Sequence, residues 1–234
     1  MIGFYDYTVV LTLLSLASSV FGMTQAMDAH FRAAIFCLAL SGLCDTFDGK
    51  IARSKKNRTD DEKLYGIQLD SLCDIVCFGV FPTMICYFLG VNSKIGVLSI
   101  IYYCICGVIR LAFFNVLETN RQTGKNNEEK VYHGLPITSI SVILPMTFLL
   151  SLLVPEKTFS VILTAMLLLV GTCFIIDFKM KRPKDAVIWL LIVLVAVAVV
   201  LIFFFAHFRI YREPVRSGPL IDDFIRWFDE KCRS

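Results

Sequence analysis

Seven long apolar segments, separated by short polar connections, constrain this chain more than any other feature. Each is close to the roughly 20 residues that a helix needs to cross the hydrocarbon core of a bilayer. The segments cover approximately residues 7–27, 30–47, 71–91, 95–117, 135–154, 158–177 and 186–206. Because lipid offers no hydrogen-bond partner to an open backbone group, all seven are expected to be helices. The pattern predicts an all-α, polytopic transmembrane helix bundle.

Composition supports the same class of protein. Hydrophobic residues make up 56% of the 234 residues and charged residues 18%. Soluble domains hold about 45–50% apolar residues, glycine included, and about 25% charged residues. This balance excludes a disordered chain, a coiled coil and an ordinary soluble enzyme. The net charge is only +3, so a nucleic-acid partner is not expected.

The polar connections differ in charge, and this difference predicts the side that each one faces. Thirteen Lys and Arg residues fall in the segments 49–66, 118–134 and 178–185, whereas the other connections between apolar segments hold three. Basic loops stay on the cytoplasmic side of a membrane. The three basic segments and the N-terminus are therefore predicted to be cytoplasmic, and an odd number of spans puts the C-terminal tail outside.

The chain divides into a membrane domain, residues 1–206, and a polar tail, residues 207–234. Apolar residues recur at helical spacing in the tail after Pro219, from Leu220 to Phe228. This spacing fits an amphipathic helix that lies on the membrane surface. It fits a short polar tail with one helical turn equally well, and both interpretations stand.

Four carboxylates lie inside two of the apolar helices, where ionisable residues indicate function by default. Asp45 and Asp48 fall three residues apart near the end of the second helix, and Asp70 and Asp74 fall four apart near the start of the third. Both spacings put a pair on one helix face. Because a single loop joins the two helices, the pairs are expected to face each other at the same depth.

Four acids so close together repel one another unless cations neutralise them. Oxygen-only ligands suit hard divalent ions such as magnesium, manganese or calcium. Small residues and one guanidinium flank the acids: Gly49, Ala52, Arg53 and Gly66. The combination suits phosphoryl transfer on a lipid pyrophosphate, in which two metals stabilise charge and a free carboxylate takes a proton from the nucleophile. The alternative is that the acids pair with loop lysines at the interface.

The residues from Asp45 to Asp74 resemble the signature of the CDP-alcohol phosphotransferases, DxxDGxxAR followed by GxxxDxxxD. Eight positions match in order, although the spacer between the two halves is longer than is usual in the family. The resemblance implies a six-helix catalytic core, here with an additional C-terminal span, that forms a homodimer and opens to the cytoplasmic leaflet. It also implies an integral protein of a bacterial plasma membrane, with CDP-diacylglycerol entering from the surrounding lipids.

The resemblance further assigns roles to individual residues. Asp45, Asp48, Asp70 and Asp74 would hold two divalent cations, magnesium or manganese with calcium as a further occupant. Asp74 would also be the general base. The residues that would contact CDP-diacylglycerol are Gly49, Ala52, Arg53 and Gly66.

Other stretches are similar to the phosphatidylserine synthases of that family. They run from Asp70 to Pro82, from Arg110 to Asn115 and from His133 to Pro136. The resemblance implies transfer of the phosphatidyl group to the hydroxyl of L-serine, with release of CMP.

Two residues of the fourth span are candidates for binding the acceptor. Arg110 would hold the serine carboxylate bidentately, or it is an anchor whose head reaches the lipid headgroups. Asn115 would bind the serine ammonium, or it caps the helix.

Two further interpretations of the whole chain remain open. The same catalytic half could serve glycerol 3-phosphate or an inositol phosphate, although such acceptors would need several bases in the pocket. A divalent-cation transporter would use the four aspartates as its site, and its ligands would be expected near the bilayer midplane.

Overall fold

The computed structural model describes residues 7–52, 59–122, 132–180 and 185–205, and within these ranges the chain is almost entirely helical. In chain order the helices are α1 (Val10–Met27), α2 (Phe31–Ala52), α3 (Asp60–Asp74), α4 (Phe81–Phe88), α5 (Lys94–Gln122), α6 (Ile140–Leu149), α7 (Glu156–Ile175) and α8 (Asp185–Phe205). A π-helical turn, Ile75–Val80, joins α3 to α4, so the two form one continuous helix of 29 residues.

The predicted all-α, polytopic membrane architecture is confirmed. Four described helices are long and apolar enough to cross a bilayer: Val10–Met27, Asp60–Phe88, Lys94–Asn120 and Glu156–Ile175. Short 3-10 turns extend the ends of α1 and α6. The described residues also contain a two-residue antiparallel pairing of β1 (Tyr132–His133) with β2 (Lys179–Met180).

The two helices that carry the aspartates extend beyond the apolar segments that predicted them. The second continues to Ala52, and the third begins at Asp60, about three turns before the apolar segment. A capping box fixes this start, since the Glu62 N–H donates to the Thr59 hydroxyl and the Thr59 N–H donates to the Glu62 carboxylate. Hydropathy ends at the first charges, whereas the backbone hydrogen bonds continue to the cap. All four predicted aspartates consequently lie in regular helix.

The eighth helix runs antiparallel to α2 along the bundle. The ring of Phe47 lies 6.4 Å from Trp189 near one end, and the ring of Phe36 lies 6.2 Å from Phe203 near the other. The last described turn of α8 therefore lies at the end where α2 begins, as the seventh predicted span requires. The tail, residues 207–234, and its predicted amphipathic helix lie outside the described residues.

Helix α1 packs along α2 through a face of small residues, which lets the two backbones approach closely. The buried residues of this face are Thr12, Ser15, Ser19, Gly22 and Ala26. A Cβ atom at Gly22 would lie 2.7 Å from the Cβ of Cys37 and would overlap the ring of Phe81 in α4. Gly22 therefore allows three helices to meet at one point.

The π-helical turn directly after Asp74 is supported by a buried tyrosine. Pro82 has no N–H, so the carbonyl of Phe78 lacks the donor that an α-helix would supply. The hydroxyl of Tyr103 on α5, which is fully buried, donates to this carbonyl at 2.7 Å. The backbone group that the proline releases is thus satisfied inside the bundle, as a membrane-embedded backbone requires.

We predict that Gly22→Ala destabilises the bundle by about 1–3 kcal/mol, because the added methyl group overlaps neighbouring helices that cannot move apart cheaply. Gly107→Ala is the matched control, since a Cβ there would meet the flexible end of Ile137 at 3.1 Å. Thermal unfolding of the purified variants in detergent, followed by tryptophan fluorescence, measures the difference. Equal melting temperatures for both variants would contradict this packing.

Candidate active site

Three aspartates from two helices converge on one point. Asp45 on α2 and Asp70 and Asp74 on α3 each offer a carboxylate oxygen, and these atoms all lie within 4.8 Å of one another. The four-residue spacing on α3 puts both of its acids on the face that meets α2. A set of convergent carboxylate oxygens fits a hard divalent cation such as Mg²⁺, Mn²⁺ or Ca²⁺.

The fourth aspartate, Asp48, lies beside this set. Its carboxyl group neighbours Asp70, as the carboxyl group of Asp45 neighbours Asp74. The Oδ2 atom of Asp48 also accepts a hydrogen bond of 3.0 Å from the hydroxyl of Thr12 on α1. The structure therefore brings together all four acids that the sequence singled out, in two neighbouring pairs.

The electrostatics of this cluster favour a bound cation. Asp45, Asp70 and Asp74 each interact electrostatically with other acids of the cluster. Like charges at such separations in a medium of low dielectric constant repel strongly. Divalent cations would remove that repulsion, so the donor set and its charge both fit a metal centre.

The residues expected to contact the nucleotide flank the acids on the same two helices. Gly49 is exposed and follows Asp48, whereas Gly66 is half-buried and lies one turn before Asp70. Ala52 is the last residue of α2. Arg53 lies outside the described residues.

Asn115 lies inside a helix and contacts the aspartate-bearing helix. Because α5 continues to Gln122, Asn115 does not cap a helix end. Its Oδ1 atom accepts a hydrogen bond of 2.6 Å from the hydroxyl of Ser71, the residue after Asp70. The amide therefore turns its two N–H donors away from Ser71.

Arg110 is buried, with only 8% of its surface exposed, which does not fit an anchor that reaches lipid headgroups. Its Nη1 atom lies 3.3 Å from the position that a Cβ atom on Gly134 would take, at a φ of +68°. The N–H of Gly134 donates to the carbonyl of Phe178, and the N–H of Leu135 donates to that of Cys173. A loop fastened to the end of α7 thus covers the guanidinium.

Helices α3 and α5 run antiparallel, and their register locates Arg110 relative to the acids. Ser71 contacts Asn115. One turn further along, at the start of the π-helical turn, the side chain of Ile75 lies 3.5 Å from the Cβ position of Gly107. Arg110 falls between these two contacts on α5. It therefore lies at the level of the second aspartate of α3, on the same stretch of helix as Asn115.

Sequence patterns did not reveal two side chains that position the predicted site residues. Thr12 and Ser71 hydrogen-bond partners that are 36 and 44 residues away along the chain. Both separations are longer than the longest described helix, which has 29 residues, so no pattern within one helix could have identified the pairs. Ser71 was visible only as part of a motif, and Thr12 only as a polar residue in an apolar run.

Comparison with known families and proteins assigns the chain to a family. The model of the CDP-alcohol phosphatidyltransferase family matches residues 8–197. A CDP-diacylglycerol–serine O-phosphatidyltransferase of Saccharomyces cerevisiae is 36% identical over 125 residues, which are 51% of this chain and 43% of the yeast protein. The archaetidylserine synthase of Methanothermobacter thermautotrophicus is 33% identical, over 60% of this chain and 56% of the archaeal protein.

A bacterial relative gives a similar result. The CDP-diacylglycerol–serine O-phosphatidyltransferase of Helicobacter pylori is 35% identical over 57% of this chain and 55% of the bacterial protein. The matched region thus spans about half the length of these curated relatives. The family match, in contrast, extends from α1 into α8 and includes all four aspartates. The chain therefore belongs to the CDP-alcohol phosphatidyltransferase family.

Proposed function

We propose that this protein transfers the phosphatidyl group of CDP-diacylglycerol to the hydroxyl of L-serine, which yields phosphatidylserine and CMP. The proposal rests on the carboxylate oxygens of Asp45, Asp70 and Asp74, which lie within 4.8 Å of one another in a chain of this family. The choice of serine is supported by relatives whose names specify serine as the acceptor.

The acids would bind the pyrophosphate of the lipid nucleotide through divalent cations. Asp45, Asp48, Asp70 and Asp74 hold two divalent cations, magnesium or manganese, with calcium as a further ion that such oxygen ligands accept. When bound, these cations supply charge neutralisation on the phosphate oxygens.

The residues around the acids shape the place for the nucleotide. Gly49, Ala52 and Gly66 leave room for it beside the helices, and Arg53 contacts its phosphate oxygens as a planar donor.

Asp74 acts as the general base. The serine Oγ attacks the phosphorus that carries diacylglycerol, and its proton passes to the Asp74 carboxylate. A bond forms between this oxygen and the phosphorus, while the bond from the phosphorus to the CMP oxygen breaks. A carboxylate on a rigid helix, one turn from a second acid on the same face, is suited to hold this proton.

Arg110 and Asn115 bind the acceptor. A guanidinium offers two parallel N–H donors, which match the two oxygens of the serine carboxylate. Asn115 adds donors to the same group, because its Oδ1 atom is occupied by Ser71. An amide turned in this way suits the carboxylate of serine better than its ammonium group.

The location of the acids supports a membrane enzyme more than a cation transporter. Asp48 contacts Thr12 in the first turn of α1, so the cluster lies at one end of the bundle and not in its middle. The three basic segments of the sequence connect helix ends on this same side. We therefore propose that the site faces the cytoplasm. From the resemblance to the family we also propose a homodimer in a bacterial plasma membrane, which takes CDP-diacylglycerol from the surrounding lipids.

The proposed reaction predicts that CMP is released from CDP-diacylglycerol only when L-serine is offered. The purified chain would be assayed in detergent–lipid micelles with magnesium or manganese and with serine, glycerol 3-phosphate or inositol phosphate supplied separately. Release with a different acceptor would retain the catalytic site but contradict the acceptor. An absence of release with every acceptor, in protein that still binds divalent cations, would favour a transporter.

Asp74→Asn is predicted to lower turnover by about 10²- to 10⁴-fold, the range that a general base contributes. The other three acids remain, so binding of CDP-diacylglycerol should be largely retained. Asp61→Asn is the matched control, because Asp61 is exposed in the first turn of the same helix. Near-normal CMP release by Asp74→Asn would show that another group takes the proton.

Asn115→Asp is predicted to raise the KM for serine by about tenfold or more, with a smaller effect on kcat. The substitution replaces a hydrogen bond from the amide to the serine carboxylate with repulsion between two carboxylates. A hydrogen bond to a charged group is worth roughly 1.5–3 kcal/mol. Asn120→Asp, one to two turns further along α5, serves as the control. A change in kcat alone, with KM unaltered, would contradict a role of Asn115 in acceptor binding.

A further inference from the structure

We propose that Thr12 is a positioning residue that holds Asp48 in the orientation required for cation binding. This inference rests on the metal centre of the proposed function, and it adds a role for α1. The hydroxyl of Thr12 donates to the Oδ2 atom of Asp48 and thereby directs this carboxylate toward the other acids of the cluster.

The contact has the properties of an orienting hydrogen bond. The Thr12 Oγ1 atom lies 3.0 Å from the Oδ2 atom of Asp48, and each residue is only 7% exposed. A hydroxyl that donates to an ionised carboxylate forms a charge-assisted bond, roughly twice as strong as a neutral one. The carboxyl group of Asp48 also contacts the Gly49 backbone and Asp70. Thr12 adds a constraint on its orientation that comes from α1.

A seam of buried serines fixes Thr12 at the correct height beside α2. The hydroxyl of Ser15 donates to the carbonyl of Ser41 at 3.2 Å, and the hydroxyl of Ser41 donates to the carbonyl of Ser15 at 2.9 Å. The hydroxyls of Ser19 and Ser41 lie 2.7 Å apart. These reciprocal bonds link side chains to backbone in both directions, so they fix the sliding and the rotation of α1 against α2.

The register matters because one residue of a helix corresponds to a rotation of about 100°. A shift of α1 by one residue would turn the Thr12 hydroxyl away from Asp48 and break the seam as well. Among the described residues, α1 contributes no carboxylate to the cluster, so its contribution to the metal centre passes through Thr12.

The test is direct binding of Mn²⁺ to the full chain in lipid nanodiscs, read from the electron paramagnetic resonance signal of free Mn²⁺. Thr12→Val keeps the shape of the side chain and removes the donor. It is expected to weaken Mn²⁺ binding by about tenfold, the lower end of the effect for groups that orient metal ligands. Thr12→Ser restores the donor and is expected to restore most of the affinity.

Thr24→Val is the matched control, since this hydroxyl on the same helix bonds only the Phe21 carbonyl one turn earlier in the described structure. Thr12→Ala removes the donor with a smaller side chain, so it replaces Thr12→Val if that variant does not fold. Unchanged Mn²⁺ affinity in a folded variant without the donor would overturn the proposal. Failure of Thr12→Ser to restore the Mn²⁺ affinity would also overturn it.

Activity assays separate this inference from the proposed reaction. In the donor-free variant, the Mn²⁺ concentration for half-maximal CMP release should rise, and turnover should recover at saturating Mn²⁺. A purely structural defect would not be rescued by the ion. If the wild-type chain binds Mn²⁺ but releases no CMP, the proposed reaction fails, whereas the role of Thr12 is still decided by the binding data.

Discussion

The rest of the structure depends on holding four carboxylates close together inside a membrane protein. Separated acids would each be costly in this environment, and adjacent acids add mutual repulsion. Such a cluster needs surrounding helices that cannot move apart, and cations that share the oxygens would relieve its repulsion. The close packing around α2 and α3 holds the acids together, and their oxygen atoms suit the divalent cations that would neutralise them.

The bundle meets the mechanical part of this constraint with contacts of different kinds. Helix α1 approaches α2 through small residues, and Gly22 lets the ring of Phe81 close the junction. Beyond Asp74 the chain passes through a π-helical turn, whose free carbonyl is satisfied by the buried hydroxyl of Tyr103. The helix that carries Asp70 and Asp74 can therefore change its hydrogen-bonding pattern immediately after the site without exposing a polar backbone group to lipid.

Much of the site was predictable because its elements are local in sequence. The three- and four-residue spacings of the aspartates define helix faces, and the single loop between α2 and α3 makes those faces meet. The all-α class followed from the apolar segments alone. Helix ends were less predictable, since the capping box of Thr59 and Glu62 extends α3 well beyond its apolar part.

The contacts that orient the site residues could not be predicted, because they depend on how distant helices pack. Thr12 reaches Asp48 and Ser71 reaches Asn115 across pairs of helices, and Gly134 covers Arg110 from a loop fastened to α7. Each contact requires the rotation and height of a whole helix to be known. The role of Arg53 and the form of the tail lie beyond the described residues and stay predictions.

In the proposed reaction, the converging acids bind the ions on which phosphatidyl transfer depends. Anomalous X-ray diffraction from crystals of the full chain, grown with Mn²⁺ and CDP-diacylglycerol, tests it most directly. Manganese peaks are predicted within bonding distance of carboxylate oxygens of Asp45, Asp70 and Asp74, next to the pyrophosphate. Manganese bound elsewhere, or absent from these oxygens in protein that releases CMP, would contradict it.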